Sequence, residues 1–76
     1  MTKEKIIEEK IFKNPLKFLD KKDIKRIKTW AGWSEKDRHA MIESLERLYY
    51  KYKETKLEGW KRWLAMYYAL LDEVPE

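Results

Sequence analysis

Nine consecutive residues without a charge, Trp63–Leu71, stand in a chain of which 42% is charged. At helical spacing Trp60, Trp63, Leu64, Tyr67, Leu71 and Val74 fall at i, i+3, i+4, i+7, i+11 and i+14, one apolar stripe. Met66 and Leu70 widen it, and Ala65 with Ala69 forms a small-residue track on the far side. A helix apolar on most of its circumference either fills a core or docks on another protein. The first expectation is therefore a central core helix, and the second is one that also offers a partner surface. Trp63 and Tyr67 share the stripe with Leu64 and Leu71, which predicts them to be the most buried aromatics.

The other elements also read as helices. Residues 3–13 carry Ile7 and Ile11 at i, i+4 with Phe12 beside them, and Thr2 is a candidate cap. Asn14-Pro15 ends this helix, because proline disfavours a helical residue before it, and Pro15–Leu19 reads as a short turn. A second helix starts at Asp20, a good N-cap with Asp23 three residues on and Leu19 and Ile24 in the staple positions. Ile24, Ile27 and Ala31 are expected to face inward, with Trp30 adjoining and Gly32 as the stop. A third starts at Ser34 with Asp37, runs to about Lys53 and buries Met41, Ile42, Leu45, Leu48, Tyr49 and Tyr52. Glu43 and Arg47 are spaced to pair on its wet side. Thr55 with Glu58 suggests a third capping box for the fourth helix, which Pro75 ends. A break near Glu54–Thr55 makes helices three and four antiparallel neighbours; one bent helix over 35–73 is the alternative. Strand alternation is absent. The expected fold is a single all-α domain over residues 1–76, a small bundle of three long helices plus one or two short ones.

Several function classes are disfavoured. The chain has no Cys and one His, so thiolate metal sites, disulfides and Cys nucleophiles have no residues to form them. Ser34 and Ser44 lack the context of a nucleophile, and Glu43 with Glu46 reads as a solvated face. No enzyme activity, cofactor or metal is expected. His39 reads as a surface histidine, or as a phosphate or base contact. The start MTKEKIIEEK is too charged for a secretory segment, and no uncharged run approaches a membrane span. The lack of Cys fits a cytoplasmic setting. The absence of Gln, with a single Asn and abundant Lys and Glu, follows the bias of hyperthermophile proteins.

Charge is uneven. Residues 1–33 carry net +5, residues 34–56 net +1 and residues 57–76 net −2, within a total of +4. The excess concentrates in Lys13–Lys28, where Lys13, Lys17, Lys21, Lys22, Lys25, Arg26 and Lys28 face two acids. Lys21, Lys25 and Lys28 form one ridge of the second helix, with Lys22 and Arg26 alongside. Such a ridge can neutralise phosphates and release counterions; an acidic protein patch and a plain solvated face are the other readings. The candidate nucleic-acid contacts are Lys17, Lys21, Lys22, Lys25, Arg26 and Lys28. Residues 21–53 also have a helix-turn-helix outline, although Glu35 and Asp37 at the start of its second helix would repel phosphates. Trp33, Tyr50 and Tyr68 lie off the main stripes and are the expected exposed aromatics, candidates for a partner surface or base stacking.

In size, charge, helical content and lack of Cys, the chain resembles the small basic helical proteins of thermoacidophilic Crenarchaea and their viruses. Over all 76 residues it is similar to the smaller accessory subunit of the crenarchaeal B-family replicative DNA polymerase. The basic segment Lys13–Lys28 and the aromatic helix Trp60–Leu71 carry the likeness. It implies a non-catalytic subunit that docks on the polymerase and improves its hold on DNA, and it carries over no individual residue role. The function expected is a non-enzymatic accessory module that docks on a larger protein and binds nucleic acid by phosphate contacts, weakly when alone. An autonomous DNA-binding regulator and a viral protein-interaction inhibitor are the rival classes.

Overall fold

The computed structural model describes residues 3–73. It holds four α-helices: α1 (Lys3–Lys13), α2 (Lys21–Ala31), α3 (Glu35–Glu54) and α4 (Trp60–Glu73). A 3-10 turn, Pro15–Phe18, separates α1 from α2. The described residues contain no strand, so the fold is all-α. No described helix is long and apolar enough to cross a membrane. Thr2, Val74 and Pro75 lie outside the described residues.

Local signals set most boundaries. Asp20 Oδ1 accepts the Asp23 amide at 2.8 Å, and Ser34 Oγ accepts that of Asp37 at 3.3 Å. Both expected caps are thus in place, each satisfying an amide that has no partner within its helix. Gly32 ends α2, but in right-handed conformation at φ −83°. A Cβ there would meet only the Thr29 carbonyl, at 3.5 Å, so the stop does not require glycine.

The break between α3 and α4 falls at Thr55, as expected, but its chemistry differs. The capping box from Thr55 to Glu58 is not formed, and α4 starts at Trp60. Thr55 instead closes α3, its hydroxyl donating to the Lys51 carbonyl at 3.0 Å. The Leu57 amide donates to Tyr52 O and the Lys56 amide to Lys53 O, while Lys56 takes φ +58°. That pairing is a Schellman closure, with lysine in the left-handed place usually held by glycine. Gly59 holds the loop against α3, since a Cβ there would come within 2.8 Å of the Tyr52 ring.

α4 lies at the centre. It contacts α1, the 3-10 turn, α2 and α3. Towards α1 and α3, Ile11, Tyr49, Trp60, Leu64 and Ala65 form one buried cluster. Towards α2 and α3, Ile27, Leu45, Met66, Ala69 and Leu70 form a second. α3 and α4 run antiparallel: Tyr49 meets Trp60 with ring centroids 6.2 Å apart, and Ile42 shares a hollow with Leu71. The Ala65–Ala69 track faces neighbouring helices rather than an open far side, at 0% and 3% exposure. Small side chains on that side let α1 and α2 approach the α4 axis.

This surrounding reverses the expected order of aromatic burial. Trp60 (7% exposed) and Tyr49 (8%) are the buried aromatics, while Trp63 and Tyr67 are half-buried at the seam between the clusters. The Arg62 guanidinium lies 5.3 Å from the Trp63 ring centroid, on a side that water also reaches. The Glu43–Arg47 pair is not formed either; Glu43 lies 3.5 Å from His39 Nε2, and both side chains are exposed.

Two stability outcomes follow from this packing. Trp60→Ala should cost about 3–5 kcal/mol, the usual cost of truncating a large buried aromatic, and Trp63→Ala should cost less. Urea midpoints of the two variants check the order, and a lower midpoint for Trp63→Ala would contradict it. Lys56→Gly should raise stability by up to about 1 kcal/mol, seen as a higher midpoint, by removing a left-handed non-glycine residue. An unchanged or lowered midpoint would mean that the turn at Lys56 carries no strain.

Candidate nucleic-acid interface

The outer face of α2 is cationic because its inner face is firmly held. Ile27 is 1% exposed and seats the helix in the second cluster. One turn earlier on that face sits Asp23, only 2% exposed. Its carboxylate receives Arg62 from α4 in a bidentate pair, Nε to Oδ2 at 2.8 Å and Nη2 to Oδ1 at 2.6 Å. Arg26 Nη1 adds a longer contact at 3.5 Å. Hydrogen bonding from Arg62 holds the Asp23 carboxyl below the usual aspartate range, against the opposing effect of burial. A fork-to-fork geometry fixes the rotation of α2 about its axis as well as its distance from α4.

With Asp23 turned inward, the outward half of α2 bears Lys21, Lys22, Lys25, Arg26 and Lys28, all exposed. Lys17, also exposed, precedes them on the 3-10 turn. Among the described residues none of these five lysines pairs with a carboxylate, and Arg26 shares Asp23. The result is a row of free ammonium groups on a rigid helix. A shallow groove beside it is lined by Lys22, Lys25, Arg26, Thr29 and Trp30.

A second polar tie fastens α1 to α3. Tyr49 donates its hydroxyl proton to Glu8 Oε1 at 2.7 Å, and Lys53 pairs with the same oxygen. Burial alone would raise the Glu8 carboxyl, but Lys53 and Tyr49 outweigh it and hold it below its ordinary value. Lys53 is raised correspondingly, first by its bond to Glu8.

The expected exposed aromatics do not form one patch. Trp33 (39% exposed) and Tyr50 (59%) are exposed. Trp33 precedes the start of α3, and Tyr50 lies roughly 22 Å of helix beyond that start. Tyr68 is half-buried, not exposed: Phe12 packs edge-on against it with centroids 5.1 Å apart, and Tyr67 lies 5.5 Å away. Phe12, 64% exposed, is the aromatic that solvent meets there. Trp33 instead joins Trp30, with centroids 6.3 Å apart and planes tilted by 51°.

Arg38 bears on the helix-turn-helix reading. It sits where a recognition helix would present side chains to bases, yet its Nη1 donates back to the carbonyls of Ala31 and Trp33, both at 3.3 Å. That side chain closes the end of α2 and is not aimed outward. Among the described residues, no group of His, Asp and Glu is arranged to hold a metal ion.

The pairs at Asp23 and Glu8 were not legible as pairs, since their partners lie 39 and 45 residues away. Two signals were present. Asp23 shares an inward face with Ile27, and Arg62 is a cation flanked by Trp60 and Trp63 in the most apolar helix. A carboxylate on a buried stripe calls for a cation, and Arg62 reaches it from the half-exposed edge of α4.

Fold and site together describe an all-α protein whose second helix turns a cationic face to solvent. No family model matches the chain, and neither a curated protein nor a solved structure does.

The depressed carboxyls give acid sensitivity a definite sign. Asp23 and Glu8 release protons more readily in the folded chain than in the unfolded one. Their contribution is complete above the unfolded carboxyl range of about 4 and is lost as pH falls through the lower folded values. Asp23→Asn should flatten the loss of stability below about pH 4, and a variant with the parent's slope would show that Asp23 does not drive it. At neutral pH Arg62→Ala should cost about 1–3 kcal/mol by stranding a buried carboxylate, moderated because water reaches the half-exposed Arg62 site.

Proposed function

We propose that this chain is a non-enzymatic accessory module that docks on a larger nucleic-acid-processing protein and strengthens that protein's hold on DNA. One observation carries the reading: a row of lysines without ion-pair partners on the outward side of α2, whose acid is turned inward. Lysine is a hydrated point charge on a long stem, suited to a phosphate backbone and poor at bidentate reading of base edges. The contacts are therefore to phosphate, from Lys17, Lys21, Lys22, Lys25, Arg26 and Lys28.

The docking surface in this reading is aromatic. Phe12, Tyr50 and Tyr68 supply it on the side of α4 between α1 and α3, where Tyr68 and Leu71 lie between the arcs that meet those helices. On a helical wheel that arc is well separated from the Arg62 position that receives α2. One surface can then hold the partner while the other meets DNA. The partner implied by the resemblance to the small accessory subunit is a crenarchaeal B-family replicative DNA polymerase, in the cytoplasm of a thermophile. The module is a single domain, a bundle of three long helices with one or two short ones.

Six cationic contacts predict a slope of log affinity against log salt of about −5.4, from about 0.9 per phosphate on duplex DNA. Alone, the chain should bind at micromolar levels or weaker with little sequence preference. Joined to a partner's own contacts, the same face gains from effective concentration. The triple change Lys21→Glu, Lys25→Glu, Lys28→Glu should keep the helical circular dichroism and abolish binding. Fluorescence anisotropy on labelled duplex DNA, from low to moderate salt, checks this. A triple variant that binds as well as the parent would reduce the ridge to a solvated face.

A further inference from the structure

We infer that the cationic face of α2 continues into a base-stacking site at Trp33, so that the preferred ligand is a single strand of nucleic acid rather than a duplex. This rests on the phosphate-binding reading of α2 and names the ligand class for that face.

The two features adjoin. The groove with Lys22, Lys25 and Arg26 on its wall ends on Trp30. Trp33 is the next ring along, 6.3 Å from Trp30. Beyond it lies a second hollow lined by Trp33, Asp37, Ala40, Met41 and Ser44. Lys22 to Trp30 is eight residues of helix, roughly 12 Å, so a strand with phosphates on the lysines can lay a neighbouring base against the indoles. Non-specific single-strand binding combines these same two parts, a positive groove that follows the backbone and aromatic side chains on which bases stack.

The chemistry of the second hollow selects a base over a phosphate. Ala40 and Met41 give its lining apolar side chains, and Asp37, also in the lining, would repel a phosphate. A carboxylate only accepts hydrogen bonds, which suits the exocyclic amino group of a base. A base inside an intact duplex is stacked on its neighbours and not free to stack on the Trp33 ring, whereas a single strand can turn its bases outward.

The site is also preorganised. The Trp33 amide donates to the Trp30 carbonyl at 3.0 Å, and the Trp33 carbonyl accepts from Arg38 at 3.3 Å. With its backbone held on both sides, an indole 39% exposed stands out at the end of the lysine row. Holding that backbone in place before binding lowers the ordering cost when a base arrives.

The test compares the full chain with Trp33→Ala, Trp33→Phe and the triple lysine variant at low salt. Each is titrated by anisotropy against a short labelled strand of non-self-complementary sequence and against its duplex. The parent should prefer the single strand. Trp33→Ala should weaken single-strand binding about 5- to 150-fold, the range of one lost stacking contact, and leave duplex binding unchanged. Trp33→Phe should keep much of the single-strand affinity, because a ring remains. If Trp33→Ala binds the single strand as the parent does, or weakens both ligands equally, the stacking site is refuted while the lysine face stands. No preference of the parent for the single strand also refutes it. If the triple lysine variant binds both ligands as the parent does, the phosphate-binding reading fails and the stacking site fails with it.

Discussion

The burial of α4 is the constraint on which the rest of this structure depends. A helix with no charge over nine residues cannot present its circumference to water, and so short a chain has few elements with which to cover it. All of them are used: α1, the 3-10 turn, α2 and α3 each pack against α4. This accounts for a core built as two clusters on different sides of one helix, with Trp63 and Tyr67 at their seam. It also accounts for the exposure of Phe12 and Leu16, which lie on elements that give α4 only part of their apolar surface.

Surrounding one helix with others raises the question of what fixes each around its own axis. Apolar contact is non-directional and tolerates rotation. The polar ties do not. Asp23 and Arg62 meet as a fork and a carboxylate, and Glu8 joins Tyr49 and Lys53 across α1 and α3. Each tie places a charged group of a peripheral helix against a cation from another element. Buried ion pairs add little net stability compared with apolar packing, because desolvation offsets their attraction. Their effect here is on orientation, and orientation decides which side chains of α2 look outward.

The electrostatic character of the surface follows from that rotation. α2 has one acid, Asp23, and it is withdrawn into the protein and neutralised by Arg62. A rotation that exposed Asp23 would break the cationic row and bury a lysine. Hence the same contact that positions α2 gives it a face of one sign. Trp30 and Trp33 mark the C-terminal end of that face, while Phe12, Tyr50 and Tyr68 gather on another side of the molecule. The aromatic residues thus divide into two surfaces with different charge around them.

The helices, the starts of α2 and α3 and the centrality of α4 were legible in the sequence, because they arise from interactions between residues close in the chain. Asp20 and Ser34 cap the amides three residues on, and the stripe through Leu64 is a property of one helix. The lysine row was legible for the same reason, since every position on it but Lys17 belongs to one 11-residue helix. The order of aromatic burial was not, because it depends on which neighbours pack on each side of α4, and the Ala65–Ala69 side proved as covered as the stripe itself. Thr55 read as a cap for the following helix and closes the preceding one, since the same hydroxyl can bond either way and the left-handed turn at Lys56 settles the direction. The Asp23–Arg62 and Glu8–Lys53 pairs span 39 and 45 residues, a separation at which no local pattern links two charges. Only the packed tertiary structure brings them together, because α4 carries Arg62 onto the buried Asp23 of α2 and α3 carries Lys53 onto Glu8 of α1.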